Sequence, residues 1–187
     1  MSEIVTMTDM CAPDGSRHQS CLKTKSQAEA VRPTPLAETC AAPMYRSILI
    51  ATDGSALADK AVTTGLALAK GLRAKATVVT VSPAWAAART CHGSAAVPFD
   101  AYERAAGEAA SKILASVCEL AKRLDAECVT VHVKGSTAEG ILEFAKNGGC
   151  DLIVMASHGR RGLSRLILGS QATRVLTSSS VPVLICK

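Results

Sequence analysis

Residues 155–170 read MASHGRRGLSRLILGS, a stretch that gathers the residue types able to hold an anion. Ser157, His158, Gly159 and Arg160 follow directly on the apolar run DLIVMA, and a later glycine, Gly169, precedes Ser170 and a short helical pattern. The order is strand, loop, helix start. A parallel strand that enters a helix through glycines leaves backbone N–H groups unpaired and pointing outward, which is the physical basis of a phosphate site. A second chemical group, Asp53, ends the first apolar run of the patterned region. A carboxylate there repels phosphate, so Asp53 is expected to meet a hydroxyl-bearing or metal-bearing part of a ligand while phosphates lie at the 157–170 loop.

Each of these residues also has a plainer reading. Gly159 and Gly169 could simply shape a tight loop, and Asp53 could serve the start of the following helix through its charge. Ser170 could be an N-cap and a phosphate ligand at once, since both roles use the same helix end. Arg160, Arg161 and Arg165 fit either phosphate neutralisation or a solvated surface loop. For His158 a role as general base lacks a partner, because no orienting acid or nucleophile is placed beside it, and a loop-shaping role is expected.

The elements that must position these groups are legible from periodicity. Short apolar runs at 47–52, 76–81, 128–133, 152–156 and 181–186 read as strands, mostly buried on both faces. Between them lie four helical patterns. The first opens at Ser55 as N-cap, repeats Ala58, Ala61, Val62, Gly65, Leu66 and Ala69 on one face, and should stop at Gly71. The second is long and presents Ala106, Ala110, Ile113, Val117, Leu120 and Leu124. The third opens with a capping box, Ser136 to Glu139, and buries Ile141, Leu142 and Ala145 before Asn147-Gly148-Gly149. The fourth is short, with Ala172, Val175 and Leu176 as its apolar face.

This alternation predicts an α/β fold, an open doubly wound parallel sheet of five strands with helices on both faces. Ligands in such sheets bind beyond the carboxyl ends of the strands where the strand order reverses. If the strand before Asp53 neighbours the strand before Ser157, acid and glycine loop face one crevice. Pro182 cannot donate to a ladder, so the last strand belongs at an edge or bulge, and an apolar edge needs cover. A homodimer through 181–186 is the expected arrangement.

Length and composition bound the rest. With 187 residues, 48% of them hydrophobic and 3% aromatic, the chain can build one aliphatic core. Residues 1–43 show no sustained period and include Pro13, Pro33 and Pro35, so a disordered extension is expected, with Met44 as an alternative start. No run approaches a membrane span and the N-terminus lacks a secretory pattern, which points to the cytoplasm. The eight cysteines form no C-x-x-C pair and read as reduced, buried small residues. A formal charge of +5 suits an anionic ligand and does not by itself indicate nucleic acid. The residues 83–98 form a longer connection carrying Trp85 and His92, with no chemistry identified in it.

The chain has no G-x-x-x-x-G-K-[ST] loop, no G-x-G-x-x-G after the first strand and no G-x-S-x-G elbow. Three segments, ILIATDGS, VMASHGRRGLSRLILGS and SSVPVLIC, together resemble the universal stress protein family, and the likeness spans residues 44–187. The nucleotide-binding branch of that family has the pattern G-x-x-G-x9-G-[ST], whose glycine backbone and final hydroxyl contact the phosphates of ATP. Gly159 matches the second glycine, and Gly169-Ser170 match the closing pair. The first glycine is Ala156 here, a change that matters only if the position needs a positive φ or unusually close phosphate approach.

The resemblance implies an adenine nucleotide alpha hydrolase-like fold and a stress-response regulator that binds ATP, with Mg2+ on its phosphates. It places Asp53 near ribose or a metal-bound phosphate and the backbone around Val81 beside the adenine. Binding is assigned to Asp53, Val81, Ala156, His158, Gly159, Arg160, Gly169 and Ser170, with no catalytic residue. Hydrolysis is expected to be slow at most, since no base and no second acid are identified. The alternative is a dimeric stress module that does not bind ATP and acts through protein partners. Neither a membrane nor a nucleic-acid partner is expected.

Overall fold

Short runs rich in Val, Ile and Leu become the strands of one sheet, and patterned stretches between them become helices packed on its two faces. The computed structural model describes residues 4–5, 44–85, 98–159 and 168–187. The strands are β1 (Ile4–Val5), β2 (Ser47–Ala51), β3 (Lys75–Ser82), β4 (Val129–Lys134), β5 (Leu152–Ala156) and β6 (Val183–Cys186). The helices are α1 (Ala56–Leu72), α2 (Phe99–Arg123), α3 (Thr137–Asn147) and α4 (Ser170–Ser178). Spatial order in the sheet is β1-β4-β3-β2-β5-β6.

The five strands β2 to β6 are mutually parallel, as the βα alternation predicts. The chain moves outward from β2 through β3 to β4, then returns to lay β5 on the other side of β2. The strand order therefore reverses between β2 and β5, with Ile50 beside Val154 and Ala51 beside Met155. A sixth, two-residue strand is not foretold by the aperiodic N-terminal sequence. Ile4 and Val5 pair antiparallel with Val133 and His132 at the β4 edge. The rest of the 1–43 extension lies outside the described residues.

Alternation along β2 divides the core in two. Ile48 and Ile50 face α1 and α2 and pack with Val62, Leu66 and Val117. Leu49 and Ala51 face α3 and α4 and pack with Ile141, Met155 and Val175. Fully burying a side chain such as Leu66 or Val62 contributes about 1.5–3 kcal/mol. All six small or apolar positions read from the sequence of α1 are buried. Gly65 permits the close approach of α1 to the sheet, because a Cβ there would lie 2.7 Å from Ile50 Cδ1.

Several local expectations are corrected. Helix α1 does not stop on Gly71; it continues to Leu72 and ends on Arg73 in the left-handed region, φ 54°. On α2 the buried face is Ala110, Leu114, Val117 and Ala121, so Ile113 and Leu120 sit at its margin. On α4, Ala172 and Val175 are buried but Leu176 is 45% exposed, since the helix turns its inner face to α3 and the sheet. Ser136 is the N-cap of α3 but makes no side-chain capping bond, and Glu139 pairs with Arg174 of α4 rather than folding back on its own helix. Strand β6 begins at Val183, with Pro182 just before it donating nothing and accepting from Ile153 N at 3.0 Å.

Candidate functional site

At the strand-order reversal, the carboxyl ends of β2 and β5 and the N-termini of α1, α3 and α4 surround a cavity of about 430 Å3. The β2 side is built by Thr52 and Asp53. Thr52 N donates to Val79 O at 2.9 Å, and Thr52 Oγ1 accepts from Gly54 N at 3.1 Å. Asp53 Oδ1 accepts from Ser55 N at 3.1 Å, and Ser55 Oγ caps α1 by accepting from Ala58 N at 3.2 Å. Ser55, the N-cap read from the sequence, thus does the capping, and Asp53 braces the turn while lining the cavity.

The β5 side opens differently. Ala156 is the last residue of β5, is paired in register with Cys186 and has no positive φ. The methyl group that distinguishes it from glycine therefore introduces no backbone strain. Ser157 N donates to Cys186 O at 2.8 Å, and Gly169 N donates to Ser157 O at 2.9 Å, which ties the start of α4 to the end of β5. Gly169, with φ −62° and ψ 150°, is the N-cap of α4, so Ser170 is its first helical residue and not the cap expected from sequence. By helix geometry the N–H groups of Ser170, Gln171 and Ala172 have no acceptor within α4.

At both glycines the constraint is space rather than φ. A Cβ at Gly159 would lie 2.7 Å from Asp53 Oδ2, and one at Gly169 would lie 3.1 Å from Ser157 O. The first of these contacts shows that the acid and the glycine loop do face one another across the crevice. His158 is half-buried, and its Nδ1 lies 3.1 Å from Ser157 Oγ, a local contact that fixes the ring at the loop entrance.

Of the residues singled out from sequence, Asp53, Val81, Ala156, His158, Gly159, Gly169 and Ser170 all line this cavity. Arg160, Arg161 and Arg165 lie outside the described residues, as do His92 and residues 86–97. The sequence did not single out Thr137 and Ile141 of α3, Met155 of β5 or Gln171 of α4, which complete the walls. Met155 and Gln171 adjoin the glycine motif, and the remaining two come from a helix brought in by tertiary packing. Val79, Val81, Ile141 and Met155 make an apolar floor on the side of the sheet covered by α3 and α4.

A second polar cluster lies at the carboxyl ends of β3 and β4, apart from the cavity lining. His132 is 8% exposed, with Nε2 2.8 Å from Ser82 Oγ. Burial first, and then the Lys134 charge, pull its pKa below the ordinary value of 6.5, against an opposing pull from Glu103. Lys134 is ion-paired to Glu103. Cys118, Cys128, Cys150 and Cys186 are not in disulfides; of these only Cys150 is buried as the sequence suggests, and burial pushes it up in pKa, away from thiolate chemistry. Among the described residues there is no group of three or more His, Cys, Asp or Glu side chains placed to hold a metal, and no helix is long and apolar enough to cross a membrane.

Comparison with known proteins places this architecture. The family model described as "Universal stress protein family" matches residues 44–187. Universal stress protein YxiE of Bacillus subtilis is 32% identical over 148 residues, covering 77% of this chain and 100% of its own length. The solved structure of the hypothetical protein MJ0577 aligns with a TM-score of 0.63 at 25% identity, over 77% of this chain and 96% of that one. A universal stress protein crystallised in complex with cAMP aligns with a TM-score of 0.55 at 24% identity, over 76% of this chain and 97% of that one. The matched residues take in both turns of the crevice and the whole parallel sheet, and the chain belongs to the universal stress protein family.

Proposed function

We propose that the crevice binds an adenine nucleotide, with ATP carrying Mg2+ as the ligand that fits its parts, and that the protein is a nucleotide-responsive regulator in stress response. The observation that carries this reading is the state of the three helix ends around the cavity. The end of α1 is closed by Ser55 and that of α3 by the Gln171 side chain, whereas α4 starts on Gly169, which has no side chain, and has no side-chain cap among the described residues. An anion is therefore best received at Gly169 and Ser170, where helix dipole and unpaired N–H groups coincide. Gly159 leaves room beside Asp53 for the ligand to cross from one turn to the other.

The apolar floor of Val79, Val81, Ile141 and Met155 suits a planar base, and Asp53 faces the ribose or the metal-bearing phosphates. A single carboxylate fits a Mg2+ held mainly by phosphate oxygens and water. That ion would neutralise phosphate charge. Of the candidate bases lining the described cavity, Asp53 is assigned to the ribose or the metal and His158 lies against Ser157, so hydrolysis is read as slow at most. The complex of a related protein with cAMP supports an adenine nucleotide as the ligand class.

Isothermal titration with ATP and Mg2+ is the direct test. Saturable heat is expected, and no binding at about 1 mM nucleotide, a free energy near −4 kcal/mol, would overturn the reading in favour of a module acting through protein partners. The same reading includes a homodimer through β6. That strand is a sheet edge with Leu184 37% exposed, and a monomer in sedimentation at micromolar concentration would remove this part of it.

A further inference from the structure

Gln171 is the second residue of α4, yet its side chain serves another helix. Its Oε1 accepts from Ala138 N, the second backbone N–H of α3, at 3.1 Å. Since Ala138 N is a donor, the amide atom facing it has to be the carbonyl oxygen. Ser136, the N-cap of α3, makes no capping bond, so Gln171 supplies the cap that α3's own sequence does not. One turn along, Arg174 of α4 is ion-paired with Glu139 of α3. Ala138 and Ala172 are buried beside these ties.

The two helices joined in this way form facing walls of the crevice. Thr137 and Ile141 line it from α3, and Gly169 and Ser170 line it from α4. We infer that Gln171 is a positioning residue for the ligand, setting the separation between the α3 wall and the phosphate-receiving end of α4. It also sorts the two helix ends, because its carbonyl engages the α3 N-terminus and leaves the α4 N-terminus to the anion. This rests on the nucleotide-binding reading given above. A neutral amide is the group this position requires: a carboxylate would accept equally well from Ala138 N but would add negative charge one residue from Ser170.

The test compares wild type, Gln171→Ala and Gln171→Glu by calorimetric titration with adenosine and with ATP and Mg2+, and by amide hydrogen exchange at Ala138. In Gln171→Ala, Ala138 exchange should quicken and affinity for both ligands should fall by about 10-fold, the scale of one lost hydrogen bond. In Gln171→Glu, Ala138 protection and adenosine affinity should stay at wild-type values while ATP affinity falls by at least about 5-fold. Wild type binding ATP with Gln171→Ala unchanged towards both ligands overturns the inference alone. Wild type failing to bind ATP overturns the proposed function, and unchanged Ala138 exchange in Gln171→Ala then overturns the capping as well. Should Gln171→Ala not fold, equal loss of adenosine and ATP affinity in Gln171→Glu, or loss of neither, overturns the positioning role.

Discussion

The two turns that meet at the strand-order reversal are built on opposite plans. The β2–α1 turn is closed by its own side chains: Thr52 holds Gly54 N, Asp53 holds Ser55 N, and Ser55 caps α1. The β5–α4 connection is longer, carries glycines where a Cβ would crowd Asp53 and Ser157, and delivers a helix that has no side-chain cap among the described residues. The first turn spends Thr52 and Ser55 on folding and turns only Asp53 towards the crevice, and the other presents a helix start to the ligand. Mutations of Thr52 or Ser55 should therefore be felt in stability, and mutations in the second turn in affinity.

The largest expected effect breaks the open turn. Gly159→Val forces a branched side chain against Asp53 Oδ2, and ATP affinity by calorimetry should fall by at least about 100-fold, roughly 2.7 kcal/mol, with a smaller change in thermal unfolding. Ser170 is the first helical residue of α4 and not its N-cap, so the melting temperature of Ser170→Ala should match wild type while ATP affinity drops by about 5- to 10-fold. The converse holds at the closed turn. Ser55→Ala should cost about 1 kcal/mol in denaturant unfolding and leave affinity within about 2-fold. If Ser55→Ala instead weakened ATP binding as much as Ser170→Ala, the contrast between the turns would be lost.

The smallest effect concerns pH, and it checks that the contrast is not a titration effect. His132 is buried against Ser82, with Lys134 and Glu103 beside it, and burial first lowers its folded pKa from 6.5. The unfolded chain then binds the proton more readily, so stability is fully present above about pH 6.5 and declines as pH falls towards the folded pKa. His132→Gln should flatten this decline in urea titrations between about pH 5 and 8 while leaving ATP affinity at pH 7.5 unchanged. A decline of equal depth in the variant would assign it to other groups.

Much of this contrast is legible in the sequence, and the limits have physical causes. Local periodicity is enough to pick out every buried position of α1, and the full extent of β5, because one face of an amphipathic helix or a fully buried strand is written in consecutive residues. The spacing from Gly159 to Gly169-Ser170 likewise needs no tertiary information. What escapes is whatever depends on a partner far along the chain. The capping box at Ser136 fails because Glu139 finds Arg174, and the true cap, Gln171, lies 33 positions away. Gly71 is an attractive helix stop, yet the left-handed residue is Arg73, two positions on, with Ala74 N already donating to Ala69 O. The apolar run of α4 suggests Leu176 for the core, but the position of α3 leaves it in solvent.

The short strand β1 has a bearing on how such a sheet can grow. A parallel sheet has two open sides, and a chain able to extend on both can polymerise without limit. Here Ile4 and Val5 occupy the β4 side at Val133 and His132, so a newcomer there would first have to displace them. The β6 side has no such guard among the described residues. Joining two copies through β6 consumes both free sides at once, and the outer flanks of the pair are then the ones already occupied. In the proposed homodimer, a few residues at the far N-terminus would thereby favour a closed pair over a filament.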